Sequence, residues 1–417
     1  MDETSLRRLL DRAVAEEPPM GPVVQGSLVA GIRLRRRRRA RNAVASLATV
    51  AVVGAAIPAI MTTWGHGPTG SPAAPHKVVV YIGSDHADTV TPISAATNTQ
   101  GRPIKTDPGP RRLAITPDGK TLYAANVDWH TVTPISTATN TPGKPITVGK
   151  GPDAIAITPD GRTVYVANVI SDTVTPISTA TNTAGKPIRT GHRPVAIDIT
   201  PDGKTAYVLD ESDGLGGAVL PISTATNTPE KPIKVGNMPY AMAMTPDGRT
   251  LYVANAAPGR VTPISTATNK PGKPIKLGHG PVDVTVTPDG KTAYVLVNGS
   301  REAGLVTPIA TASEQAGKPI RLLDGIPQAI TITPDGKTLY VTNYRSGTVL
   351  LISTATNAQK LIRVGKGPVA VAFTPDGKTA YVVSLGASTV TPISTVTDTP
   401  GRPIKVGPHP FAVAITP

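Results

Sequence analysis

A chain of 417 residues with 40 Gly, 44 Pro and only 17% charged residues is rich in turn formers and long enough for one large or two ordinary domains. It has no cysteine, which excludes a disulfide framework, a thiolate metal site and a cysteine nucleophile. The net charge of +14 is uneven: residues 1–42 hold ten Arg against five acids, and the rest holds 32 basic against 23 acidic residues.

In chain order, residues 1–42 read as a cytoplasmic stub. Leu6, Leu9, Leu10, Ala13 and Val14 recur at helical spacing behind the capping residues Thr4 and Ser5, an amphipathic helix that would lie on a membrane surface or dock a cytoplasmic regulator. Residues 43–63 then run 21 positions without a charge, close to the ~20 needed to cross a bilayer, so 43–64 is a predicted transmembrane helix with Trp64 at its interface. Arg33, Arg41 and the five consecutive Arg at 35–39 stand just before it, which places the N-terminus inside the cell and the remainder outside, anchored in the cell membrane. A cleaved signal peptide, with Ala56 or Ala59 at the cut, is the rival reading. Residues 65–76, GHGPTGSPAAPH, form a Gly/Pro linker.

From residue 77 to 417 the chain repeats. The word T-P-D-G begins at Thr116, Thr158, Thr200, Thr245, Thr287, Thr333 and Thr374, at intervals of 41 to 46 residues. Each unit holds four short β-like runs, such as RRLAI, TLYAAN, TVTPIST and KPITVG, with a D-G turn between the first two. Four antiparallel strands per unit of this length predict an all-β propeller blade. The first run, KVVVYIGS, reads as a second strand and the last, PFAVAITP, as a first strand. The expected ring therefore has about eight four-stranded blades closed by a three-plus-one clasp, with seven blades plus an imperfect unit as the alternative. The proline in TVTPIS, at Pro92, Pro134 and Pro176, would cost a ladder hydrogen bond, which a bulge could absorb.

The words LYVAN at 251–255 and LYVTN at 339–343 resemble the YVTN family of β-propeller repeats, over residues 77–417. The resemblance implies the fold and a bacterial or archaeal envelope setting, and assigns no activity.

Alternating strand direction sends the P-D-G and T-A-T-N turns to one nearly invariant face. The loops before the first strand and between the second and third go to the other, variable face, the candidate for binding. Eight tyrosines at one repeat position are expected in the core. Residues off the repeat give the candidate ligand-binding set: Trp129, His130, Asp153, His192, Arg193 and Tyr240, with His279, Asp283, Tyr344, Arg345, His409 and Phe411. Arg112, Asp198 and Asp283 replace small residues on the strand nearest the axis, which implies either a polar channel with a ligand or an internal hydrogen-bond network. The histidines lack metal-site spacing, and no Ser-His-Asp order, nucleophile elbow or phosphate loop occurs. No metal, cofactor or nucleic acid is therefore expected. The leading expectation is an extracytoplasmic binding module for an anionic envelope polymer or a protein. A lactonase-like propeller hydrolase or lyase, or a structural surface spacer, are its rivals.

Overall fold

In a computed structural model, which describes residues 77–211, 216–278, 280–298, 304–325 and 327–417, each T-P-D-G word closes the turn between two strands. Thr116 Oγ1 donates to Asp118 Oδ1 at 2.6 Å, the same oxygen accepts from Lys120 N at 3.1 Å, and Gly119 N donates back to Thr116 O at 2.8 Å. The Thr116 hydrogen bond is the main cause that holds the Asp118 carboxyl below its ordinary pKa, so an ionised acid anchors the turn. Gly119 stands at φ +70°, where a Cβ is disfavoured. The proline packs sideways: a Cβ on Gly161 would lie 3.3 Å from Pro117 Cδ in the preceding blade. One word thus sets both the turn and the spacing between neighbours.

Each blade has an inner, a second and a third strand of at least six residues, such as Pro152–Ile157, Thr163–Asn168 and Thr173–Ser178, paired antiparallel. In seven blades the outer strand is split into two short pieces, here Thr183–Ala184 and Ile188–Arg189, which both pair with the third strand. Eight such sheets form, and Pro410–Ile415 supplies the inner strand of the first by pairing with Val79–Ser84. Eight blades and the three-plus-one clasp are therefore as expected. The predicted stub, transmembrane helix and linker at 1–76 lie outside the described residues. Among the described residues no helix is long and apolar enough to cross a membrane.

No bulge is needed at the third-strand proline, contrary to the sequence expectation. Pro134 keeps unbroken register opposite Tyr123. Its carbonyl accepts from Gly143 N at 2.7 Å, and in an antiparallel ladder the N–H and C=O of one residue point the same way. The missing donor therefore faces the outer strand, at the level where that strand is split. The seventh blade shows the coupling. There Leu351 replaces the proline, Gln359–Arg363 runs unbroken beside it, and Leu351 pairs with Lys360. The path from Ser353 to Ile362 is one residue shorter than the equivalent path from Ser136 to Ile146.

Apolar clusters lie between blades rather than within them. Tyr165, Ala167 and Val174 pack against Ile197, Val208 and Ile222 of the next blade, burial worth ~25 cal/mol per Å² of apolar surface. The repeat tyrosines are buried as expected, and they also tie the ring by hydrogen bonds. Tyr123 Oη donates to Asn182 Oδ1 at 2.6 Å and Tyr165 Oη to Asn227 Oδ1 at 2.6 Å, each acceptor in the T-A-T-N turn of the following blade. These asparagines sit at φ 52° and 57°, the left-handed region that Asn tolerates. Glu314 and Asp398 replace the asparagine in two turns, and the facing hydroxyls of Tyr252 and Tyr340 have no hydrogen-bond partner.

Candidate functional site

The bulges lie on the inner strand. In every blade the register slips at its second residue, between Pro110 and Arg112 and between Pro152 and Ala154, for example, which leaves Arg111 and Asp153 outside the ladder. Tyr240 and Phe411 hold the same place in the fifth and first blades. A bulge re-aims its side chain, and these residues surround one end of the ring, the end that also carries the variable loops.

Across the first three blades the bulged residues form a connected cluster. Arg111 donates through Nε to Asp85 Oδ2 at 2.9 Å and approaches the same oxygen through Nη2 at 2.8 Å. Arg112 Nη2 lies 3.1 Å from Asp153 Oδ1, close enough for an ion pair although too poorly aligned for a hydrogen bond. Both guanidinium groups stand over the Phe411 ring, at 5.8 and 5.1 Å from its centre. His86 and His409 stack at 3.8 Å between ring centres, and burial, then the neighbouring His86, lowers the His409 pKa. Two stacked imidazoles do not readily both carry a proton.

Residues 127–212 match the YNCE-like β-propeller family. The chain is a β-propeller of YVTN-like repeats. It is similar to a chain in the Kuenenia stuttgartiensis hydrazine synthase structure, with 28% identity, a TM-score of 0.59, and coverage of 70% of this chain and 97% of that one. A structure of the dihydro-heme d1 dehydrogenase NirN in complex with DHE shares 18% identity over 84% of this chain and 77% of that chain, with a TM-score of 0.66. A functionally unknown protein from Desulfotomaculum acetoxidans DSM 771 gives 15% identity, 81% and 98% coverage, and a TM-score of 0.57. The last two likenesses concern the fold alone. No curated protein sequence matches the chain.

In this YVTN-like propeller the inner-strand acids build a network rather than a ligand cradle. Asp283 Oδ1 accepts from Val284 N and Oδ2 from Ile330 N of the next blade, both at 2.9 Å. Asp198 bridges Ile199 N at 3.0 Å and Met244 N at 3.2 Å in the same manner. Burial pushes their pKa values up to about 7 and about 6, with the amide hydrogen bonds opposing. Of the two readings open for these acids, the internal hydrogen-bond network is the one seen: the Asp283 carboxylate ties two inner strands together.

The other candidates are dispersed. His130 Nδ1 accepts from Gly151 N at 3.2 Å and so ties its loop to the approach to the next blade's inner strand. Arg193 donates through Nε to Glu211 at 3.1 Å, beside Tyr240, and His192 faces Asp172 at 3.5 Å. Trp129 and Arg345 are exposed, and the Tyr344 ring covers Gly367, where a Cβ would lie 3.1 Å from it. His279 lies outside the described residues. The structure therefore joins Asp153, His409 and Phe411 in one cluster and leaves the rest apart. Asp85 and Arg111 were missed, although Arg111 shares its repeat position with Asp153, Tyr240 and Phe411, which was the available signal.

On the variable face the described acids, among them Asp85, Asp88, Asp107, Asp128 and Asp172, outnumber the bases. Exposed apolar side chains gather there as well: Trp129, Ile170, Met238, Leu323 and Tyr344, with only Leu361 and Val396 elsewhere among the described large apolar residues. Two shallow grooves of about 330 and 430 Å³ lie away from the mouth, one between the turns at Asp202 and Asp247 and one beside His192.

Proposed function

We propose that the chain is a membrane-anchored, extracytoplasmic β-propeller that docks a protein partner on its variable face. The observation that carries this reading is the gathering of exposed apolar residues on that face, with Trp129 64%, Leu323 71% and Tyr344 38% exposed. Aromatic and aliphatic side chains held in water around a rigid rim are the usual anchors of protein interfaces. The acidic balance of the same face favours a protein over an anionic polymer there. The cluster around Phe411 would supply orientation through its charges, since Asp85 and Asp153 are each committed to an arginine rather than free as acid or base. Anchoring rests on the uncharged stretch at 43–63 behind its arginine run.

A photo-crosslinking residue placed at Trp129 or Tyr344 of the full chain in intact cells tests the docking face. A discrete crosslinked species is expected from both sites and none from Val396 on the opposite face; equal products from Val396 would overturn the reading. Protease added outside the same cells should digest the repeats and spare residues 1–41, and protection of the repeats would overturn the orientation.

A further inference from the structure

The positive charge of the propeller lies on its circumference. In every blade the outer strand carries one buried isoleucine, Ile104 in the first and Ile404 in the last, which fastens it to the core. The residue two places before that isoleucine is Lys or Arg in all eight blades, and the residue directly after it is Lys or Arg in seven, Thr147 being the exception. Arg102 and Lys105 illustrate the pattern in the first blade and Lys273 and Lys276 in the fifth. All fifteen cations are exposed. Without them the propeller would hold 17 basic against 23 acidic residues.

The belt is continuous and uncompensated. Outer segments of neighbouring blades approach within 8 Å between Cα atoms around the ring, and Gln359 Nε2 donates to Arg321 O at 2.8 Å where the sixth blade meets the seventh. Cations of the P-D-G turns stand beside their own carboxylates, as in Lys204 with Asp202 at 3.4 Å and Lys120 with Asp118 at 3.6 Å. Among the described residues no belt cation is in such an ion pair. Solubility alone does not require segregation, because intermixed charges serve it equally. Guarding a sheet edge is a second use of lysine, yet splitting already blunts most of these edges.

We propose that this belt binds a flexible linear polyanion of the polyphosphate or polyphosphodiester kind, wound along the rim. A flat anionic bilayer would meet only one sector of a ring whose cations are spread over all eight blades. Duplex DNA, with a persistence length of about 50 nm, is too stiff to follow it. A flexible chain engages many cations at once and releases its counterions, so affinity rises with chain length and falls steeply with salt.

The test measures binding of the full chain in detergent to long-chain inorganic polyphosphate, to triphosphate and to vesicles of phosphatidylserine and phosphatidylcholine, at equal phosphate and several salt concentrations. Long-chain polyphosphate is expected to bind at least tenfold more tightly than either competitor. A variant with Lys231→Gln, Lys234→Gln, Lys273→Gln and Lys276→Gln should show a salt slope shallower by roughly 3, and turn controls Lys204→Gln and Lys291→Gln should match the parent. Equal binding of triphosphate, preference for vesicles, or belt and turn variants that behave alike would each overturn the proposal. A belt variant that aggregates by light scattering while its soluble fraction binds polyphosphate as the parent does would assign the belt to edge protection and overturn it too.

Discussion

The hydroxyl of Tyr381 donates to Asn98 Oδ1 at 2.7 Å, joining residues 283 positions apart in sequence across the contact between the last blade and the first. Seen from the sequence both residues are ordinary members of the repeat, and the bond is the local rule applied at the point where the ring closes. Tyr381→Phe should cost about 0.5–1.5 kcal/mol of stability by chemical denaturation. Tyr340→Phe removes a hydroxyl without a partner and should cost less or stabilise. Equal losses in the two variants would mean that these hydrogen bonds do not hold the ring.

The coupling of proline to the split outer strand gives a second expectation. Leu351→Pro removes the amide that faces Lys360 in the one unbroken outer strand, and should destabilise by about 1–3 kcal/mol. Replacing residues 348–363 as a block with the sequence of 389–405, which brings the proline together with the extra residue, should recover most of that loss. A melting temperature unchanged by Leu351→Pro would refute the coupling.

Asp283 sets a pH dependence. Its pKa of about 7 in the fold, raised by burial, lies above the ordinary carboxyl value of 3.8, so between these values the folded state holds the proton that the unfolded chain has released. The stability tied to this group is therefore highest below about pH 4, falls as pH rises and is fully lost above about pH 7. The change is on the order of a few kcal/mol. Asp283→Asn, which keeps one acceptor for the two amides, should remove this slope, and the difference between parent and variant in unfolding at pH 5 and pH 8 isolates the group. Parallel profiles would place the titration elsewhere.

The clasp predicts the behaviour of a truncation. Deleting 410–417 takes away the inner strand of the first blade, the Phe411 ring under two arginines, and the 2.9 Å bond from Val79 N to Thr416 Oγ1. A large loss of thermal stability or aggregation is expected by scanning calorimetry and light scattering. A truncated chain as stable as the parent would mean that the ring closes by other contacts.

Blade number, clasp and the two faces were legible because each rests on a repeated word and on strand alternation, which are properties of the sequence itself. The Tyr381–Asn98 bond was not, since the two residues belong to different repeats and their meeting depends on how far one blade rotates from the next. The prolines misled because a lone reading of TVTPIS cannot tell which side of the strand loses its donor; the comparison of Leu351 with Pro134 and their outer segments could have. Members of the cluster around the Phe411 ring were legible where they broke the repeat, as with Phe411 and Asp153. Arg111 shares a repeat position with Asp153, Tyr240 and Phe411 that the sequence does show, and only the bulge that makes this position special is invisible there. Trp129 and Tyr344 lie exposed, as their places in variable loops imply, but sequence alone left Asp283 between a ligand and an internal network, because one of the two amides that occupy its carboxylate comes from the next blade.

The inner-strand bulge frees one residue in each blade from the ladder, although Val195, Val282 and Val369 at this position still pack on the interblade core. In the other blades its identity is not dictated by core packing, and they offer Arg111, Asp153, Tyr240 and Phe411 beside the neutral Gln328. At those blades the mouth of the ring behaves as a dial with independent settings. Descendants of such a chain, or a library randomised at these positions alone, can sample new recognition chemistry while the scaffold that presents it stays the same.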